Sequence, residues 1–321
     1  MSSAEPRKII KFGNSSHVIS LPSSWVKENN LSKGDIVFIE KNGNNELIIL
    51  PSKDDMSYSE KERKIIISVD GKDPETLRRE ITSAYINGFG SIILNGKTLK
   101  SKLSQIKNTT DFLIGLSTLA HSDGELLLKD VLSHEKLPPQ EVISRINITI
   151  AAMFSHLRIA INSKDFVKKY NEIRSLDIEI NRNYLLVWKL MKKYSYNGAN
   201  NNGSSLNPTD LYNLWWLAMN QEYIGDEIKR IARALTKTEF TVGEYSKLFE
   251  MVKAAEEYYK DSIYSLNKQD RELALDLVRK PLAKECKKIL DRNQNIALEG
   301  IYDRFLTISR HIHYIIKISI Y

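Results

Sequence analysis

The alternation of apolar and polar positions changes its period along the chain and divides it into three regions. Between about residues 5 and 52 the apolar residues come in short runs separated by turn signals. Lys8 to Phe12 predicts a strand, Gly13-Asn14-Ser15-Ser16 a turn, and Val18-Ile19-Ser20-Leu21 a second strand. Pro22 fits the first turn of a short helix running to about Asn30. Lys33-Gly34-Asp35 then turns the chain into a strand over Ile36 to Glu40. Asn42-Gly43-Asn44-Asn45 is a hairpin signal ahead of a last strand, Glu46 to Leu50. The polar stretch Pro51 to Glu62 reads as a linker.

From about 63 to 136 strand and helix patterns alternate. Ile65 to Val69 is a β-branched run, and Asp73-Pro74 is a cap and first-turn pair for a helix that ends at Gly88. A strand over Ser91 to Leu94, a helix over Leu99 to Asn108 and two short strands around Ser122-Asp123-Gly124 complete a small α/β module without a glycine-rich phosphate loop. From 137 to 321 the period is helical nearly throughout, which predicts a bundle. Its longest interruption, Ser195 to Ser205, is rich in Asn, Gly and Ser and reads as a loop. Asn207-Pro208 and Thr241 with Glu244 mark further helix starts. A weak repeat relates Ile224, Gly225, Ile228 and Ile231 to Ile308, Ser309, Ile312 and Ile315, positions that core packing alone would explain. The expected fold class is therefore multidomain α+β, with boundaries at 5–52, 63–136 and 137–321.

Composition narrows the picture only modestly. The 321 residues are 42% hydrophobic and 27% charged, ordinary for a globular protein. No apolar run approaches the ~18 residues of a membrane span, so no membrane insertion is expected. One cysteine, Cys286, excludes an internal disulfide framework and a cysteine zinc finger, and a cytoplasmic setting follows as the default. The formal net charge is +7, but residues 1–52 hold six Lys/Arg against five Asp/Glu, so charge alone does not locate a nucleic-acid surface. The nucleophile elbow, the His-x-x-x-His pair and the P-loop are all missing, and the expectation is a protein that is not an enzyme. His311 and His313 are two apart and cannot share a helix face.

Two constellations carry candidate chemistry. The N-terminal segment is near the lower limit for independent stability, and dimerisation would both close its core and double its basic side chains. Arg7, Lys8 and Lys11 can meet phosphates, while Asn14, Ser15, Ser16 and His17 offer short hydrogen-bonding groups to double-stranded DNA. The alternative is a small β-barrel with a solvated basic strand. In the helical region Glu222 and Asp226 share one helix face, as do Asp177 and Asn181 on an earlier helix. Together they offer four oxygen ligands to a hard or borderline cation. The alternative is surface ion pairing involving Glu227 and Lys229.

Resemblance sharpens both. RKIIKFGNSSHVISLPSSW at 7–25, LSKGDIVFI at 31–39 and ELIILP at 46–51 resemble the AbrB/SpoVT family over about 46 residues. The resemblance implies an intertwined homodimer with swapped hairpins, forming a β-barrel that binds DNA through the basic strands and adjoining loops. QEYIGDEIKRIA at 221–232 and DIEINRNY at 177–184 resemble the PhoU family, and residues 139–321 have the length of two PhoU three-helix units. AYING at 84–88 resembles archaeal proteins that join AbrB-like and PhoU-like parts. PhoU likeness implies a role in phosphate homeostasis, a bound metal ion (Mg, Mn, Fe or Zn) on Asp177, Asn181, Glu222 and Asp226, and contact with a phosphate transporter or a signalling protein. Asn181 stands where the family places a second Asp, and Leu306 and Arg310 fall at the matching acid positions of the second unit, so one metal centre is expected and not two. The combined expectation is a transcriptional regulator of phosphate uptake or related nutrient homeostasis. The rival is an adaptor that regulates a transporter, with the N-terminal part as a dimerisation clamp.

Overall fold

The structure, a computed structural model, describes residues 6–13, 16–41, 47–51, 63–122, 124–132, 137–197, 207–289 and 296–321. The chain divides into two compact units, 1–61 with 199–205, and 62–198 with 206–321.

In the first unit β1 (Ile10–Phe12) and β2 (Ser16–Val18) form an antiparallel hairpin in which Lys11 lies opposite His17. Gly13 at φ 68° begins the turn between them. The hairpin takes in Ser16 and His17, while Ile19 to Leu21, expected in the second strand, lies outside β2. A one-and-a-half-turn helix, α1 (Ser23–Glu28), follows, with Pro22 as its N-cap instead of a first-turn residue. The Lys33-Gly34-Asp35 turn forms as expected. The Ser32 amide donates to Asp35 Oδ2 at 2.6 Å, and Gly34 takes φ 103°, which favours glycine. β3 (Phe38–Lys41) and β4 (Leu47–Leu50) close the unit as a second hairpin. None of its described residues is buried.

The second unit begins with a four-stranded sheet in the order β5 (Lys64–Ser68), β6 (Ser91–Asn95), β8 (Glu125–Asp130), β7 (Leu116–Ser122). β5 and β6 are parallel, joined by helix α2 (Pro74–Ile86), and the other pairings are antiparallel. Asp73 caps α2 through the amides of Glu75 and Thr76, with Pro74 in the first turn. Helix α3 (Leu99–Phe112) joins α2 in covering one face, where Ile67, Ile92, Leu94 and Leu128 form the core with Leu77, Ile81 and Tyr85. The crevice beyond the carboxyl ends of parallel strands is where open α/β sheets place ligands. Here the chain fills it. Asp70 accepts hydrogen bonds from the Lys97 and Thr98 amides and the Thr98 hydroxyl, which hold its carboxyl down at about 2. Lys102 Nζ donates to the carbonyls of Val69 and Lys72.

Seven described helices follow: α4 (Pro139–Ser163), α5 (Phe166–Asn197), α6 (Pro208–Leu235), α7 (Val242–Lys268), the short α8 (Arg271–Arg279) and α9 (Leu282–Ile289), and α10 (Ile296–Ile320). Asn207 caps α6, and Thr241 with Glu244 forms the expected capping box on α7. Helix α5 extends to Asn197, into the stretch read from sequence as loop; residues 198–206 lie outside the described set. The sequence repeat maps onto α6 and α10, where Ile224, Ile228, Ile231, Ile308, Ile312 and Ile315 are all fully buried in one core. At Gly225 a Cβ atom would stand 2.9 Å from Ile180 Cδ1, the end of a side chain that would have to shift to admit it. The equivalent Ser309 accepts from the Ala283 amide at the start of α9.

Helix α5 serves both cores. Ile173, Ile180, Val187 and Leu190 face the bundle, whereas Leu185 and Trp188 pack against the α/β core. The two are locked by a buried ion pair between Lys189, 3% exposed, and Asp130, 8% exposed, on β8. The Lys189 ammonium also lies 4.0 Å from the Tyr85 ring centre, and Lys192 donates to Asn87 Oδ1 at 2.6 Å. Burial pushes the Lys189 amine down and Asp130 opposes that shift. Breaking a buried pair by removing one partner leaves an uncompensated charge. Asp130→Ala should therefore cost about 3–5 kcal/mol in urea unfolding, and Asp130→Leu with Lys189→Met should recover most of that loss. Equal stability of Asp130→Ala and wild type would show that the pair does not hold the layers together.

Candidate functional site

The β1–β2 hairpin has two chemically distinct faces because side chains alternate along a strand. Lys11 and His17, directly opposite each other, are exposed on one face. The other face carries Ile10, Val18 and Phe12, with Phe12 70% exposed. Arg7 and Lys8 lie just before β1 and are exposed, as is Ser16 at the start of β2. Asn14 and Ser15, the remaining members of the expected DNA-contact set, lie outside the described residues. Five of the seven expected residues are thus exposed on this short stretch, with Lys11 and His17 on one face and Ser16, opposite Phe12, on the other. Apart from Ser16 that other face is apolar, as are Ile36, Ile39 and Leu47 nearby in sequence, which are also exposed.

The physics of that arrangement is specific. Basic side chains on a narrow hairpin match a phosphate backbone, and a short ribbon of two strands fits the major groove. The apolar reverse is unstable in water and calls for a covering surface. Residues 10–57 match the family model described as "Antidote-toxin recognition MazE, bacterial antitoxin". The match supports an N-terminal AbrB-type DNA-binding domain, a type that binds DNA and dimerises. No curated protein and no solved structure matches the chain. No helix among the described residues is long and apolar enough to cross a membrane.

The second constellation lies between α5 and α6. Asp177, Glu222 and Asp226 come close enough to interact electrostatically. Their centre is held by Lys229, whose ammonium donates to Asp177 Oδ2 at 2.7 Å and to Asp226 Oδ1 at 2.6 Å. Burial works against that charge, but the two carboxylates prevail and hold the amine above its ordinary value. Arg230 bonds the other Asp226 oxygen at 3.1 Å. Asn181 turns its amide inward along its own helix, donating to the Asp177 carbonyl at 2.9 Å. No group of three or more His, Cys, Asp or Glu among the described residues has a geometry that could hold a metal. Three of the four expected ligands, Asp177, Glu222 and Asp226, thus come together, and as placed Asp177 and Asp226 hold the Lys229 ammonium. Sequence reading weighed Lys229 as a surface partner, and its i,i+3 spacing from Asp226 was the available signal.

Two features escaped the sequence. Glu227, read as a surface acid, is buried and gripped by Arg230 and, from α10, by Arg304 at 3.2 Å. His311 bonds Asn220 Oδ1 at 2.9 Å and stacks on Tyr223 at 4.8 Å. At the second-unit positions, Leu306 is half-buried and Arg310 is exposed.

Glu222 is pushed up to about 7 from its ordinary 4.5, first by burial and then by the charges of Asp226 and Asp177, with Lys229 and Arg230 opposing. The folded protein thus holds this proton more tightly than the unfolded chain. Stability is fullest below pH 4.5 and is lost as pH rises through about 7. Glu222→Gln should flatten the pH dependence of the melting temperature between about pH 5 and about pH 8, and its melting temperature should exceed that of wild type at the alkaline end. Parallel curves for the two proteins would refute the assignment. A divalent cation can reach these acids only by displacing the Lys229 ammonium, so Lys229→Met should bind Mn²⁺ more tightly than wild type in calorimetry. Asp226→Asn added to that variant should abolish the gain; tighter binding by the wild type would contradict the competition.

Proposed function

We propose that this protein is a dimeric, non-catalytic DNA-binding transcriptional regulator whose helical unit senses nutrient status. The observation that carries the reading is the two-faced β1–β2 hairpin, with Lys11 and His17 on one side and an uncovered apolar set on the other. A second copy of the segment covers the apolar side, and the paired hairpins then present their basic residues to one duplex. The match of residues 10–57 to the MazE family model supports this assignment of the segment. The non-catalytic part is supported by the α/β crevice being filled by Asp70 and Lys102.

Phosphate uptake is the regulated process in this reading, and its support is the PhoU-like wording of residues 177–184 and 221–232. A transporter or a signalling protein is the corresponding partner of the helical unit. The cytoplasm is the compartment where such a regulator meets its DNA. A second reading is favoured by the matched family's description: an antitoxin in which the N-terminal segment binds DNA and the protein recognises a toxin. Both readings need the hairpin to touch DNA, whereas a pure transporter adaptor does not.

Arg7→Ala combined with Lys11→Ala should weaken binding to duplex DNA while leaving the circular dichroism spectrum unchanged. Removing two phosphate contacts should lower the log–log salt slope by about 2. Wild-type protein that ignores duplex DNA at low salt, or a folded double mutant with unaltered slope, would defeat the proposal.

A further inference from the structure

Helices α2 and α3 cover one face of the four-stranded sheet; on the other, Ile66, Leu119 and Ala120 are exposed, Ile93 and Leu127 half-buried and Ser91 buried. Register fixes what the open face carries. Ile66 pairs with Ile93, Ile93 with Leu127, and Leu127 with Ala120, so these four residues form one apolar row across all four strands. Ile66 is 65% exposed, and Leu119, at the β-bulge beside Ala120, is 59% exposed. The rows on either side are polar and differ in sign. One holds Lys64, Ser91, Lys129 and Ser117; the other holds Ser68, Asn95, Glu125 and Ser122.

An apolar row flanked by a basic row and a row carrying an acid is complementary to itself under one operation. A two-fold axis running along the row lays each apolar residue on its own copy and exchanges the flanking rows. Lys129 and Glu125 both lie on β8, on opposite sides of the row. The operation therefore sets Lys129 of each copy over Glu125 of the other, giving two reciprocal ion pairs. Sheets pack face to face about 10 Å apart, a gap those long side chains span. Isologous contacts of this kind are the commonest in homo-oligomers.

We propose that a second copy of this chain covers the open sheet face, packed about a two-fold axis along Ile66, Ile93, Leu127 and Ala120. The inference rests on the N-terminal segments forming a dimer. Four strands about 4.8 Å apart and five residues long give a face of roughly 300 Å². That is well short of the ~800 Å² per partner of an interface stable by itself. The tether makes up the difference. Only thirteen residues separate the end of β4 at Leu50 from the start of β5 at Lys64. Two sheets joined to one dimer through such short links meet at an effective concentration on the order of millimolar.

The test uses the full chain with Leu127→Cys or, where that variant folds poorly, Ile66→Cys, treated with a short bis-maleimide. The native Cys286 is fully buried and its thiol is pushed up to about 12, so it stays unreactive. Both variants should cross-link into dimers, and Ser101→Cys, on α3 behind the sheet, should not. Adding Lys129→Glu or Glu125→Lys alone should slow cross-linking by about tenfold, and the two together should restore it. Light scattering separates the failures. A dimer whose row thiols stay unlinked, or a charge swap that does not rescue, overturns the sheet contact and leaves the N-terminal dimer standing. A monomer overturns both.

Discussion

A chain segment of some forty residues that buries none of its described side chains sets the terms for everything else in this protein. Folding must recover the backbone entropy it spends, of order 1–2 kcal/mol per residue, and apolar burial is the main source. The hairpins β1–β2 and β3–β4 and the helix α1 form without that source. Their apolar residues, among them Ile10, Phe12, Ile36, Ile39 and Leu47, remain in water. In the proposed reading, association with a second copy supplies that core. The same association places two copies of every basic residue on one side. Stability and recognition are therefore one problem in this segment, and a change that weakens the apolar reverse would weaken DNA contact without touching a basic side chain.

The second unit solves the opposite problem. Its helices have ample apolar surface, and the question is how two cores behave as one body. Helix α5 answers it by facing the bundle with one set of residues and the α/β layer with Leu185 and Trp188. The buried Lys189–Asp130 pair adds specificity more than affinity, since an apolar pair of similar size would serve as well for stability. A charge that must find its one partner fixes where along α5 the sheet can sit. The ammonium over Tyr85 reinforces that position.

Much of this was legible in the residues. Caps at Asp73, Asn207 and Thr241 were readable because they rest on local hydrogen bonds between near neighbours in sequence. The Lys33-Gly34-Asp35 turn was readable for the same reason. The repeat joining Ile224 to Ile308 was read as core packing, and both series are fully buried. The ends of β1 and β2 were not readable, because pairing across Gly13 sets them and no single strand contains that information. The acid cluster was half legible. Spacing put Glu222 with Asp226, and Asp177 with Asn181, on shared faces. It could not show that Lys229 would lie between the helices instead of outside them, because its bond to Asp177 joins residues 52 apart in the sequence. The polar rows of the sheet were hidden for a similar reason. Lys129 and Glu125 acquire opposite sides of an apolar row only through cross-strand register.

These placements constrain how a signal could travel within the second unit. Asp177 and Lys189 are twelve residues apart on α5, about 18 Å along a single continuous helix. One end touches Lys229 of α6 and the other grips the sheet. Any ligand that acts here must bind two arrangements of the α5–α6 contact with different affinity, since a ligand without preference shifts no equilibrium. The Lys229 ammonium supplies a natural pair of arrangements: bridging Asp177 and Asp226, or displaced from them. In the first the two helices are tied by opposite charges. In the second, like charges on Asp177, Glu222 and Asp226 face one another and favour separation unless another cation or a proton takes the place of the ammonium. Glu222 already holds its proton more tightly than a free carboxyl, first through burial and then through the charges of Asp226 and Asp177. A change at these three carboxylates would reach the sheet through α5, which Lys189 holds to Asp130.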